Sequence, residues 1–346
     1  MCGRQQAVVR AVANRLEIPL AATDWRHTLE TVEPDIVALA TPASLREEVV
    51  RLAAARGCHV FCEKPLAATA TEAERIYRLA QHAGIKHAYA STHRYDPSVA
   101  WLRELVQGGA IGVVREVEYT LRYRAEDLAP WTWWDSLAAG GGYLNNWFTH
   151  VLGMLATISG GDVQRVTGLA RTGRLQAPVV PNIHDFRVLF NGEKNPTPDE
   201  AAHLEWRACD ADSAFSAILT TSMAGREVPV TVVVSPVAAA PWPPNGWRLF
   251  GDEGTLRADG FTTFDVCRLR SKSADREPLP VPQRLIEVLP NVGDDGINKW
   301  AALACDFVAD VRGEPHCPYL TFRDGWRYQE AVGAIRAGCG WHELPA

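Results

Sequence analysis

Apolar residues recur at helical spacing over 5–16, where Val8, Val12 and Leu16 share one face. Residues 18–22 read as a short strand and 25–31 as a helix. The run 35–40 (DIVALA) is short, apolar and closed by Thr41-Pro42, the pattern of a buried parallel strand, because proline disfavours a helical residue before it. A helix follows over 45–56, with Gly57 as its C′ residue. The stretch 59–62 predicts the next strand, which leaves through Glu63-Lys64-Pro65. Residues 69–83 predict a helix capped by Thr71 and ended by Gly84, and 86–91 a third strand. Strands alternating with helices in this way imply a parallel sheet with right-handed crossovers.

From about Arg94 the rhythm changes. A helix over 99–107 stops at Gly108-Gly109, and 113–122 alternates like a half-buried strand. Residues 125–139 are irregular and carry Trp131, Trp133 and Trp134. Gly140-Gly141-Gly142 opens a helix over 143–158. Strands are expected at 163–172, 215–221, 228–234 and 248–250, a polar loop at 191–200, and helices at 299–311 and 325–337. Strands joined without crossover helices imply an antiparallel arrangement. The expected architecture is α/β over 1–95, then α+β with a large, mostly antiparallel sheet over 96–346.

Composition narrows the function. The 346 residues are 47% hydrophobic and 22% charged, as in ordinary globular proteins. A net charge of -6 argues against nucleic-acid or acidic-membrane partners. Lysines are few (Lys64, Lys86, Lys194, Lys272 and Lys299), which draws attention to any lysine beside a motif. None of the eight cysteines forms a C-x-x-C pair, so neither a structural metal site nor a disulfide framework is expected. No apolar run reaches bilayer-spanning length and the start has no signal-peptide core; the expected location is the cytoplasm.

Two constellations carry chemistry. Thr41-Pro42 and Glu63-Lys64-Pro65 both sit at the carboxyl ends of parallel strands, the side on which such sheets bind ligands. A lysine desolvated there has a lowered pKa and can exchange a proton; a plain polar turn fits the spacing equally well. The second is GGGYLNNWFTH, residues 140–150. Its glycines permit close backbone approach and expose helix N-terminal amides to a polar ligand. Asn146 and His150, four apart, share a helix face and together suit the holding and deprotonation of a hydroxyl. A buried, satisfied histidine is the competing reading.

The segments DIVALATP, GCHVFCEKPLA, HRYDP with GGAIG, GGGYLNNWFTH and GDEGTL, in this order, resemble the glucose–fructose oxidoreductase, inositol dehydrogenase and rhizopine-catabolism family over about residues 5–337. The resemblance implies a Rossmann-type nucleotide-binding domain followed by a substrate and oligomerisation domain. It also implies NAD or NADP as cofactor, a sugar, inositol or related polyol as substrate, and a homo-oligomer, dimer or tetramer. By it, Lys64 lies near the nicotinamide and the substrate hydroxyl, and His150 is the general base. Thr41, Pro42, Glu63, Pro65 and Arg94 fall at the cofactor, and Arg94, Trp133 and Asn146 near the substrate. The family's D-x-G-x-H places its aspartate on Asn146 and its glycine on Phe148; a further acidic residue falls on Gly153. Asparagine cannot ionise, and the Phe148 ring is expected to narrow or remodel the sugar pocket. Trp131–Trp134 fit sugar stacking and core packing alike. Glu205, Asp210, Asp212, His184 and Asp185 are expected at the surface, and Asp324 and Arg327 as anchors of the last helix.

No G-x-G-x-x-G occurs in the chain, and relative to the family about one βαβ unit of roughly 30 residues is lacking at the front. The strand at 35–40 is then expected to have an unpaired edge, and the chain to bind NAD(H) and NADP(H) weakly or not at all. A longer working protein, a pseudoenzyme and a cofactor-independent lyase or isomerase using Lys64 and His150 are the competing explanations. The intact site motifs favour the first, and with it hydride transfer at a secondary alcohol.

Overall fold

The computed structural model describes residues 1–181, 183, 192, 194–236, 244–261, 263–270, 276–338 and 340–345. Helices α1 (Gln6–Arg15) and α2 (Trp25–Val32) precede β1 (Ile36–Leu39), then follow α3 (Arg46–Ala55), β2 (His59–Glu63), α4 (Ala70–Ala83) and β3 (His87–Ala90). The three strands form a parallel sheet in the order β1-β2-β3, with Leu39 opposite Cys62 and Cys62 opposite Tyr89, so β1 lies at an edge. Both faces are covered along β2 and β3, as their continuous apolar runs require, while at the β1 edge Ala38 stays exposed. Val60, Cys62 and Tyr89 join the main core, while Phe61, Ala88 and Ala90 pack on Leu303 and Phe307 of α9 (Asp295–Arg312).

The next helix is α5 (Pro97–Gln107), and β4 (Val114–Arg122) begins the second sheet. After α6 (Thr149–Ser159) come β5 (Val163–Arg171), β6 (Gln176–Pro178), α7 (Pro198–Ala201), β7 (Trp206–Ala208), β8 (Ala214–Met223), β9 (Arg226–Ser235) and β10 (Gly246–Gly251). The chain continues through β11 (Gly254–Gly260), β12 (Phe264–Arg270), β13 (Arg276–Pro278), α8 (Gln283–Glu287), α9, α10 (Phe322–Ala337) and β14 (His342–Glu343). The large sheet has the order β13-β12-β11-β10-β4-β9-β8-β5-β14; every pairing is antiparallel except β4 with β9. One face, including Val117, Tyr119, Phe215, Leu219, Val232 and Trp247, is buried in the same core as the parallel sheet. The other leaves Leu169 and Ile218 exposed.

Three local expectations are corrected. Residues 18–22 form no strand: Pro19 has no amide to donate, and only Ala22 makes an isolated bridge, to Cys2. Helix α4 is capped by Thr69, not Thr71, because Thr69 and Glu72 close a reciprocal capping box. Helices α9 and α10 begin earlier than the apolar spacing suggests, at caps provided by Asp294 and by Thr321 with Asp324. The anchoring of α10 is as expected, with Arg327 donating to the Val163 carbonyl at 2.7 Å. The strands β11 and β12 were not legible because glycines and charges interrupt their apolar pattern, nor was β13, only three residues long.

Candidate active site at the strand exits

All three parallel strands release their chains on the same side. Thr41 and Pro42 follow β1, Glu63-Lys64-Pro65 ends β2 with a cis bond before Pro65, and Ser91 leads from β3 into the single turn Thr92–Tyr95. One side chain ties the first two exits together. Arg46, at the start of α3 and 3% exposed, donates from Nε (3.0 Å) and Nη2 (2.6 Å) to the Thr41 carbonyl. Its Nη1 donates to the carbonyls of Glu63 and Pro65. Beside this strut, Thr41 Oγ1 and Glu63 Oε2 are buried without hydrogen-bond partners. Orphaned polar atoms at a strand-exit crevice are what a polar ligand such as a nucleotide satisfies.

Lys64 reaches across to the second constellation, its Nζ donating to the main-chain carbonyl of Asn146 at 3.0 Å. Burial pushes Lys64 below the usual ammonium range and Glu63 above the usual carboxylate range, each opposed by the other's charge. The Asn146 carbonyl lies in a π-helical turn, Leu144–Phe148, that runs directly into α6; such turns mark functional sites in many helices.

His150, on the first turn of α6, is 6% exposed. Its Nδ1 is 3.1 Å from the Ser91 hydroxyl, which also reaches the Thr149 carbonyl at 3.4 Å. With Ser91 donating to that carbonyl, its oxygen accepts from Nδ1–H and leaves Nε2 as the basic nitrogen. Burial first, then the nearby His93 and Lys64, hold His150 well below the ordinary histidine range, so it is neutral at neutral pH. His93 lies edge-on to it, ring centroids 4.4 Å apart, and burial lowers its own pKa to about 4. The arrangement offers a neutral base near the Lys64 amine, a pair suited to removing a hydroxyl proton and hydrogen-bonding the oxygen left behind.

The structure brings together Thr41, Pro42, Glu63, Lys64, Pro65, Asn146 and His150, and sets Arg94 one residue beyond His93 with its guanidinium over the Tyr95 ring. Asn146 differs from expectation. Its Nδ2 donates to the Gly142 carbonyl at 2.9 Å, and only its buried Oδ1 is left to accept a bond. The aromatic ring beside Lys64 is Trp134, 6.0 Å from the ammonium, rather than Trp133, which packs edge-on to Trp134.

The triple glycine does not expose amides to a ligand. Tyr143 N–H donates to the Asp212 carbonyl at 2.9 Å, Leu144 N–H to Asp212 Oδ2 at 2.7 Å, and Gly142 N–H to the Trp134 carbonyl at 2.9 Å. The glycines are needed for close packing: a Cβ on Gly141 would stand 2.4 Å from the Trp134 carbonyl oxygen, and one on Gly142 2.5 Å from Asp212. Asp212 is therefore buried, ion-paired with Arg336 at 2.6 Å, and not a surface residue. Asp210 accepts from Leu137 N–H and Glu205 pairs with Arg207, both exposed contacts, while His184 and Asp185 lie outside the described residues. Phe148 points into the core against Phe215, ring centroids 5.2 Å apart, and does not narrow the site. Gly153 has no room for a carboxylate, since a Cβ there would meet Ser91 Oγ at 2.7 Å. Ser91, His93 and Arg46 were not singled out in the sequence. His93 opens the quoted HRYDP motif and Ser91 stands two residues before it, but nothing in their spacing signals the approach of α6.

Residues 1–90 match the oxidoreductase family with an NAD-binding Rossmann fold, and residues 99–257 match the C-terminal domain of the same GFO/IDH/MocA group. The chain belongs to this oxidoreductase family. It is 32% identical over 151 residues to levoglucosan dehydrogenase of Pseudarthrobacter phenanthrenivorans, covering 43% of this chain and 39% of that protein. It is 33% identical over 131 residues to D-xylose 1-dehydrogenase (NADP(+)) 2 of Haloferax volcanii, covering 37% of this chain and 40% of that one. These alignments thus span well under half of each relative. A levoglucosan dehydrogenase structure in complex with NADH and levoglucosan superposes with a TM-score of 0.78 at 22% identity, covering 100% of this chain and 89% of the other, a likeness of fold.

Proposed function

We propose that the protein is an NAD(P)-dependent dehydrogenase acting on a secondary alcohol of a sugar or related polyol. The observation that carries this reading is the 3.0 Å contact of Lys64 with the Asn146 carbonyl, which joins the β2 exit to the turn that presents His150. The relatives named dehydrogenases of levoglucosan, D-xylose and D-glucosides support the substrate class.

Thr41, Pro42, Glu63, Lys64, Pro65 and Arg94 would hold the cofactor; the orphaned oxygens of Thr41 and Glu63 fit that role. When bound, NAD(P) supplies the acceptor for the hydride leaving the carbinol carbon. The chain's own residues handle the proton. His150 Nε2, neutral and backed by Ser91, takes the hydroxyl proton, and the Lys64 ammonium steadies the developing alkoxide. Asn146 Oδ1, its remaining acceptor, positions a second hydroxyl. The reading includes a cytoplasmic homo-oligomer; no described helix is long and apolar enough to cross a membrane.

The test is oxidation of a sugar and polyol panel with NAD+ and NADP+, alongside calorimetric titration of both nucleotides. Lys64→Met and His150→Asn are each expected to lower kcat by about 10²–10⁴-fold, the range for a lost acid–base group. Absence of nucleotide binding together with absence of oxidation overturns the proposal, and sugar turnover without nucleotide would replace it with lyase or isomerase chemistry.

A further inference from the structure

Beside the strand exits, the large sheet ends in a cavity of about 820 Å3. Its walls come from the segment after β4, the aromatic stretch, the turn before His150, and the chain flanking β5 and β8. Lys64 and His150 are not part of that wall, but Trp134 belongs to both places: it lines the cavity and lies 6.0 Å from the Lys64 ammonium. Trp134 is thus a wall common to the cavity and the site, and the cavity itself is distinct from the position of the reacting hydroxyl.

Its lining is amphipathic in a particular way. Trp134, Tyr143 and Tyr123 form one aromatic wall, with Trp134 edge-on to Tyr143 and Tyr143 tilted against Tyr123, both pairs at 5.5 Å between centroids. The lining also carries polar groups: the Arg174–Asp135 ion pair at 2.7 Å, whose members also bond the Ala129 carbonyl and the Thr132 amide, and the exposed Arg124. Aromatic faces pack on the apolar C–H faces of sugar rings, and guanidinium and carboxylate groups bond their hydroxyls. The volume lies in the upper part of the roughly 300–1,000 Å3 range of small-ligand sites, more than one pyranose ring fills. Asp212, in the same lining, accepts from Leu144 N–H two residues before Asn146.

We propose that this cavity binds the second ring of a glycoside whose first ring presents its hydroxyl to Lys64 and His150, so that the substrate is a disaccharide-sized glycoside and not a free monosaccharide. The proposal rests on the dehydrogenase reading for its reaction, while the cavity's affinity for a sugar ring is tested separately. Glucose disaccharides in α and β linkage are compared with the matching methyl glucosides, using either nicotinamide nucleotide and the wild-type, Tyr123→Leu and Arg124→Ala proteins. The best disaccharide is expected to exceed its methyl glucoside by about tenfold or more in kcat/KM, as one aromatic contact contributes. Both variants are expected to remove that advantage and leave methyl glucoside turnover unchanged. Equal turnover of the two substrate sizes, or equal loss on both, overturns the proposal. If no sugar is oxidised at all, the dehydrogenase reading fails, and saturation-transfer NMR decides the cavity: disaccharide binding lost in both variants supports a sugar site there, and no binding by the wild type overturns it.

Discussion

Replacing Arg46 with lysine isolates the strut that aligns the strand exits. The arginine makes four hydrogen bonds to three carbonyls, those of Thr41, Glu63 and Pro65, from a position 3% exposed. Its planar fork spans acceptors that diverge, whereas an ammonium is a single point that reaches one or two of them. At least one buried carbonyl is left without a donor and the shared charge-assisted bonds are lost. At about 1–3 kcal/mol for each unsatisfied group, Arg46→Lys should cost about 3 kcal/mol. Urea unfolding followed by circular dichroism measures this directly, with equal m-values for the two proteins showing that the difference lies in stability. Because the same carbonyls flank Thr41 and Lys64, nucleotide affinity and sugar turnover should fall together. A variant within about 0.5 kcal/mol of wild type, the usual range for an inconsequential surface change, would refute the account of Arg46 as a strut.

Ser91→Ala should lower kcat by about tenfold while nucleotide affinity is kept, because His150 loses the partner that orients its ring and leaves Nε2 basic; unchanged kcat would show that Ser91 does not act through His150. Gly153→Ala should destabilise by about 1–2 kcal/mol, overpacking against Ser91 and Leu320 outweighing the gain in helix propensity; a more stable variant in urea would contradict the contact. Acid should weaken the fold between pH 6.5 and about 4. His87 and His93 have folded pKa values near 4 against 6.5 unfolded, so over that window the unfolded chain binds protons that the native chain refuses, and stability falls as pH falls. Each contributes at most about 3 kcal/mol. His87 Nδ1 accepts the Phe322 amide at 3.1 Å, so His87→Asn, which keeps an acceptor and cannot titrate, should show a shallower loss on urea unfolding at pH 7 and 4.5; identical pH dependence in the two proteins would sink this assignment.

The sequence by itself determined the alternation of β1, β2 and β3 with α3 and α4, because strands buried on both faces must be continuously apolar and helices must show a 3.6-residue stripe. It also determined that Lys64 and the Thr41-Pro42 pair leave on the ligand side of the sheet, since all three parallel strands end there, and that His150 stands near the start of a helix opened by glycines. Only the tertiary structure decided what those glycines are for, because Asp212 comes from 70 residues beyond Gly142 along the chain and the Trp134 carbonyl is brought against them only by the fold of the intervening loop. The same holds for Ser91 beside His150, 59 residues away, and for Arg46, whose three acceptors lie on two different strand exits. Periodicity reports which face of an element is buried, but not what it is buried against; the partners of His150, Asn146 and Phe148 were therefore fixed by packing between elements, and with them the division between proton-handling side chains and core.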